Sequence, residues 1–256
     1  MRITILGAGK MGSWFIRELS RDHEISVYDA DPAVMRDLKG VKTLSALHGM
    51  AAFNPELLIN AVSLRNTVAA FEEAAPYLSE NCIISDIASI KGDIADYYRR
   101  SPFRFASLHP MFGPTFADME FLKEESVIII KSSDGEGSRF FRNFFGMRKV
   151  KIFEYSLEEH DRMMAYSLTI PFISSMAFAA CVDRSTVPGT TFSKHKEIAR
   201  GLLSEDDHLL AEILFNPYSS GELEKVTARL EYLKHIIKGR DHEELRVFLQ
   251  RLRANI

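Results

Sequence analysis

The chain has 256 residues, a formal net charge of -3 and an isoelectric point near 6.3, with its basic residues dispersed. That balance gives no support to nucleic-acid binding, which needs a clustered positive footprint. The length suits two domains of ordinary size. The two cysteines, Cys82 and Cys181, both lie in apolar segments, which fits buried thiols in a reducing compartment better than a disulfide. No Cys/His cluster has zinc-ligand spacing, so no metal is expected. The chain enters its first strand at once, so no leader is expected, and a cytoplasmic location follows.

Arg2-Ile3-Thr4-Ile5-Leu6 reads as a strand. Gly7-Ala8-Gly9-Lys10-Met11-Gly12 follows and leads into the apolar positions Trp14, Phe15, Ile16 and Leu19 of a helix. This is G-x-G-x-x-G in the strand–turn–helix setting that gives it meaning. Gly7 permits the tight turn, Gly9 lets the backbone approach a pyrophosphate, and Gly12 lets helix and strand pack closely. The helix N-terminus offers unpaired N–H groups to phosphate. A second strand, Glu24 to Tyr28, ends at Asp29, the distance expected for the acid that binds a ribose diol. Asp29 would repel a 2′-phosphate and no Arg follows it directly, so NAD is favoured over NADP. The competing reading of Asp29 is a cap or turn before Pro32.

Further strands are predicted at 57–63, 82–86, 103–108, 126–131 and 150–155, the first unbroken apolar except for Asn60. Beyond Ser156 no convincing strand remains. Leu223, Val226, Leu230, Leu233 and Ile237 recur at helical spacing, as do Leu245, Phe248, Leu249 and Leu252. The fold class is therefore α/β: an N-terminal Rossmann dinucleotide-binding domain, residues 1–155, then an all-helical domain, residues 156–256, for substrate binding and dimerisation. Helical patterns fill the chain to its end, so no further fused domain is expected. Met163 to Val182 is uncharged and long enough to span a bilayer. Thr169, Pro171, Ser174 and Ser175 within it favour a helix buried in a bundle or subunit interface, with no membrane partner.

Three loops are expected to converge on the reactive end of the cofactor. Ser63 closes the strand at 57–63, Ser89 follows the strand at 82–86, and His109 stands where the strand at 103–108 ends. Pro110 is expected to stop the regular ladder there. Ligands of open α/β sheets bind beyond the carboxyl ends of strands, which sets His109 for chemistry. Ser89 is either a helix N-cap or a hydrogen-bond partner that orients the His109 imidazole. A neutral histidine, with an ordinary pKa of about 6.5, can accept a proton from a substrate hydroxyl while hydride leaves the same carbon.

Taken together, Gly7 to Gly12, Asp86-Ile87-Ala88-Ser89-Ile90-Lys91, His109-Pro110-Met111-Phe112-Gly113-Pro114 and Glu159-His160-Asp161 resemble the prephenate dehydrogenase family. The resemblance continues into the helical domain and covers most of the chain. It implies NAD-dependent oxidative decarboxylation of prephenate to 4-hydroxyphenylpyruvate in tyrosine, hence aromatic amino acid, biosynthesis. His109 then matches the catalytic histidine and Ser89 its supporting serine. Met11 falls within the cofactor loop. The segment Phe192 to Arg200 resembles one whose arginine binds a substrate carboxylate, which places that role on Arg200, with Lys196 reaching toward a neighbouring subunit's site. Family members form homodimers through their helical domains, and segment 163–182 is the expected seam.

Two positions depart from the family pattern. Thr115 stands where relatives often carry an acid, and Phe172 where relatives tend to carry a histidine that recognises the substrate side chain. Selectivity between side chains and feedback by tyrosine are therefore open. The alternatives are an arogenate dehydrogenase, another Rossmann 3-hydroxyacid-type dehydrogenase, or a protein that senses NAD without turnover.

Overall fold

The computed structural model describes residues 1–113, 117–183, 185 and 187–255. Contacts divide the chain into two compact units, Met1–Met164 with Leu203–Glu212, and Ala165–Leu202 with Ile213–Ile256. In the first unit the strands and helices run β1 (Arg2–Leu6), α1 (Lys10–Leu19), β2 (Glu24–Tyr28), β3 (Lys42–Thr43), α2 (Gly49–Phe53), β4 (Leu57–Asn60) and α3 (Thr67–Ala74). They continue through β5 (Ile83–Asp86), α4 (Gly92–Arg100), β6 (Arg104–Pro110), β7 (Ser126–Ile130), α5 (Gly135–Met147), β8 (Lys151–Tyr155) and α6 (Leu157–Met164).

The eight strands form one sheet in the order β3-β2-β1-β4-β5-β6-β7-β8. Every neighbouring pair is parallel except β6 with β7. Apolar runs such as Ile3 to Leu6 form strands because both faces are covered. Ile3, Ile5, Phe15, Val27, Phe141 and Phe145 fill one side of the sheet, and Leu6, Leu58, Phe71, Ile84 and Tyr98 the other. Phe15 is fully buried, a burial that contributes about 1.5–3 kcal/mol. β3 lies outside the predicted set. It is a two-residue edge strand of Lys and Thr, with no apolar alternation to announce it.

Strand order reverses between β2-β1 and β1-β4, so the crevice at the carboxyl ends of β1 and β4 is the topological switch point. Gly7 leaves β1 there and Ser63 follows β4.

β6 runs beyond the expected end at 108, takes in His109 and stops at Pro110, its last residue. β6 pairs with β5 from Arg104 to Ser107 and then with β7 from Leu108 to Pro110. The Met111 N–H donates to Ser126 O at 2.8 Å. Backbone donors alternate sides along an antiparallel strand, so the nitrogen of Pro110 faces away from β7, where β5 has already ended. A missing N–H costs nothing on that side, and His109 is held inside a paired strand.

The second unit holds α7 (Ile170–Ala180), α8 (Thr190–Leu202), the end of α9 (Asp207–Leu214), α10 (Ser219–Gly239) and α11 (His242–Arg253). A π-helical turn, Ala165–Thr169, precedes α7, and Pro171 sits in the first turn of that helix. The helical run is continuous from Leu157 to Ala180, so the π-helical turn just before Pro171, rather than a free helix start, is the irregularity that accompanies its missing N–H.

Leu157–Ala180 is long and apolar enough to cross a membrane by length and composition alone. Within 163–182, Met164, Ala165 and Thr169 are buried, while α7 has no fully buried residue and is mostly half-buried, so the expectation of burial within a bundle holds only in part in the single chain. Cys181 at its end is exposed, against expectation. Cys82 is buried as expected, and burial pushes its thiol up to about 12.

Candidate dinucleotide and catalytic site

The glycine loop is shaped by sterics. Gly7 has φ 89°, its N–H donates to Tyr28 O at 2.8 Å, and a Cβ there would stand 2.9 Å from the Ala61 backbone. A left-handed φ together with that contact requires glycine. A Cβ on Gly12 would overlap the Gly7 carbonyl, so the helix can approach the strand only without a side chain. Gly9 differs: no atom lies within 4 Å of its would-be Cβ. Packing within the protein does not demand glycine at this position, and the open space beside its backbone suits the close approach of a pyrophosphate.

Asp29 links the loop to β2. Its Oδ2 accepts the Ala8 N–H at 2.7 Å and its Oδ1 accepts the Asp31 N–H at 2.8 Å. The turn reading of Asp29 is thus present in one oxygen only, and the helical cap before Pro32 is Asp31, which accepts the Ala33 N–H. A cavity of about 430 Å³ opens between Gly7, Gly9, Asp29, Ala61 and Ser63. Its described lining carries two carboxylates, Asp29 and Glu73, and no Lys or Arg. These features fit a dinucleotide whose ribose carries no 2′-phosphate. Ser63 is exposed and precedes a short 3-10 turn, Leu64–Asn66, while Met11, in the first turn of α1, packs against the core.

His109 is 5 % exposed. Its Nδ1 lies 3.0 Å from His160 Nε2, and His160 Nδ1 lies 2.9 Å from Asp161 Oδ1. The Lys91 N–H donates to the same Asp161 oxygen at 3.2 Å. Lys91 Nζ, wholly buried, donates to Asp86 Oδ2 and to Leu108 O, each at 2.5 Å. Tyr98 donates its hydroxyl to the other Asp86 oxygen at 2.7 Å. Burial pushes the His109 pKa well below the ordinary 6.5, and the neighbouring His160 and Lys91 push it further down. The His160 pKa is also lowered, chiefly by burial, against the pull of Asp161. Both rings are therefore neutral at pH 7. Burial lowers the Lys91 pKa too, opposed by Asp86.

Ser89 does not cap α4; the cap position is Lys91, which makes no side-chain capping bond. Nor does Ser89 bond His109 among the described residues, contrary to expectation. The His109 Nδ1 position that would orient the ring is already taken by His160. Asp86, Lys91, His160 and Asp161 received no role from the sequence, although a lysine five residues beyond an acid at an apolar strand's end was a signal for a buried pair. Arg200 and Lys196 are exposed on α8 in the second unit, and Phe172 is half-buried on α7. Pro114 and the departure at Thr115 lie outside the described residues. Among the described residues no group of three His, Cys, Asp or Glu could hold a metal.

Residues 13–152, more than half of the chain, match the family model "Prephenate dehydrogenase, nucleotide-binding domain". The chain is 23% identical over 267 residues to a Methanocaldococcus jannaschii protein named "Probable arogenate/prephenate dehydrogenase", covering 95% of this chain and 58% of that one. It is 26% identical over 179 residues to the T-protein of Haemophilus influenzae, covering 69% of this chain and 44% of the relative. The chain thus spans about half the length of these relatives. A crystal structure of A. aeolicus prephenate dehydrogenase, in complex with hydroxyphenyl propionate and NAD+, shares the fold. Its TM-score is 0.84 at 20% identity, covering 100% of this chain and 96% of that one. With a nucleotide-binding domain on a Rossmann sheet and a family match over most of that domain, the chain belongs to the prephenate dehydrogenase family.

Proposed function

We propose that this chain catalyses the NAD-dependent oxidative decarboxylation of prephenate to 4-hydroxyphenylpyruvate, a step of tyrosine biosynthesis, as a cytoplasmic homodimer. The observation that carries the reading is His109: neutral, buried, fixed through Nδ1, and with no partner on Nε2 among the described residues. That nitrogen is the proton acceptor for the substrate hydroxyl. The bound dinucleotide supplies the hydride acceptor. Loss of carbon dioxide accompanies oxidation because the ring becomes aromatic. Ser89, just past β5, serves as a hydroxyl donor for substrate or cofactor. Gly7, Gly9, Met11, Gly12, Asp29 and Ser63 form the cofactor side, where the acidic lining supports NAD over NADP.

Arg200 binds a substrate carboxylate in this reading, since a planar guanidinium suits bidentate contact, and Lys196 adds a second positive charge. Arogenate is the second reading, because exposed Glu197 beside Lys196 can pair with its ammonium group. The dimer accounts for the apolar surface. α7 has no buried residue, and Leu223, Leu230 and Ile237 form an exposed stripe at seven-residue spacing on α10.

NADH appearance with prephenate and arogenate, each against NAD and NADP, tests the reading. Turnover of prephenate with NAD is expected. Preference for arogenate moves the substrate to the second reading, and dinucleotide binding without turnover of either overturns the enzymatic one.

A further inference from the structure

We propose that His160 and Asp161 are positioning residues that set the tautomer of His109, so that its Nε2 is the unprotonated nitrogen. The inference rests on His109 being the base. It deepens that assignment by naming what prepares the ring.

The argument runs along one chain of hydrogen bonds. An ionised carboxylate only accepts. Asp161 Oδ1, at 2.9 Å, therefore places a proton on His160 Nδ1. A neutral imidazole has one donor and one acceptor nitrogen, which makes His160 Nε2 an acceptor. That acceptor stands 3.0 Å from His109 Nδ1, so the proton of His109 is on Nδ1 and its lone pair is on Nε2. The opposite arrangement would set a bare His160 nitrogen against the carboxylate, lone pair to lone pair. Burial keeps both rings neutral, so the alternation of donor and acceptor is maintained at pH 7.

Lys91 anchors both ends of this chain. Its N–H donates to Asp161 Oδ1 and its ammonium donates to Leu108 O, the carbonyl of the residue before His109. Asp86 compensates the buried ammonium, and Tyr98 completes the bonds of that carboxylate. The carboxylate facing His160 and the backbone leading into His109 are thereby tied to one buried side chain. When Nε2 accepts the substrate proton, His109 becomes an imidazolium whose Nδ1–H still donates to His160. The same contacts then stabilise the cation, the orienting role that an acid plays toward histidine in catalytic triads.

The tautomer is directly readable without substrate. In protein labelled with 15N-histidine, with His109→Asn identifying the resonances among the eight histidines, His109 is expected to show a protonated Nδ1 and a bare Nε2. Asp161→Ala should release His160 and populate both tautomers of His109. Its kcat should fall about 10- to 100-fold, part of the roughly 10²- to 10⁴-fold that a general base supplies, with the Kd for NAD within about twofold. His160→Leu, which leaves Asp161 and Lys91 in place, is expected to do the same and covers the case in which the first variant does not fold. A wild-type His109 protonated on Nε2, or an unchanged tautomer in the variants, overturns the proposal. Undiminished turnover in His109→Asn would instead overturn the assignment of the base, leaving the tautomer result standing.

Discussion

Asp29 Oδ2 accepts the Ala8 N–H at 2.7 Å, so the acid at the end of β2 and the glycine loop after β1 form one rigid unit. The carboxylate is oriented by backbone before any ligand arrives, and its second oxygen is held by the Asp31 N–H. Asp29→Ser is expected to narrow the ratio of kcat/KM for NAD over NADP, mostly by weakening NAD. Losing a hydrogen bond to a charged group costs about 1.5–3 kcal/mol. Equal use of NAD and NADP by the wild type would contradict the assignment.

Gly9 and Gly12 should separate ligand sterics from folding sterics. A Cβ on Gly12 collides with the Gly7 carbonyl, so Gly12→Ala is expected to lose about 1–3 kcal/mol and roughly 2–4 °C in Tm for each. Gly9→Ala meets no protein atom within 4 Å and should leave the melting temperature of the ligand-free protein nearly unchanged while weakening dinucleotide binding. Paired thermal melts and NAD titrations make the comparison.

His109→Asn keeps size and some hydrogen bonding but removes the basic nitrogen that accepts a proton, so kcat should fall about 10²- to 10⁴-fold with little change in NAD affinity. In the wild type, the acid limb of kcat should lie below pH 6.5, because burial depresses the His109 pKa. Stability follows the same direction. Below pH 6.5 the unfolded state binds protons that buried His109 and His160 refuse, so stability is lost as pH falls through that value and is regained on raising it. Denaturant midpoints measured across acid pH, for wild type and His109→Asn, check the sign.

Arg200→Ala should raise the KM for prephenate strongly and leave NAD binding intact, and Arg200→Lys should rescue poorly because the bidentate geometry is lost. An unchanged KM in both would reduce Arg200 to a solvated helix residue.

A homodimer that covers α7 predicts that Ile173→Asp causes dissociation or insolubility, since charge would enter an apolar contact. Light scattering on the wild type and the variant decides it. A stable monodisperse wild-type monomer would contradict the homodimer.

Much of the first unit could be read from local chemistry. Strand, glycine loop and helix from Arg2 to Leu19, and the acid at Asp29, obey constraints within one βαβ unit: a positive φ, a collision with a neighbouring carbonyl, a run of apolar residues buried on both faces. His109 was legible through its place near the carboxyl end of an apolar strand. Its setting was not. His160 is 51 residues away in sequence, and a hydrogen bond across that separation leaves no periodicity or turn signature in either segment. Only tertiary packing brings the β6 histidine, α6 and the loop holding Lys91 together, and only there does Ser89 yield the His109 Nδ1 position to His160. The antiparallel turn of β6 toward β7 is equally non-local, because which side of Pro110 lacks a partner depends on where β5 ends. The apolar pattern of 163–182 marked a face suited to packing, but an α7 left half-buried in one chain shows that periodicity alone does not specify whether its partner is the same chain or another.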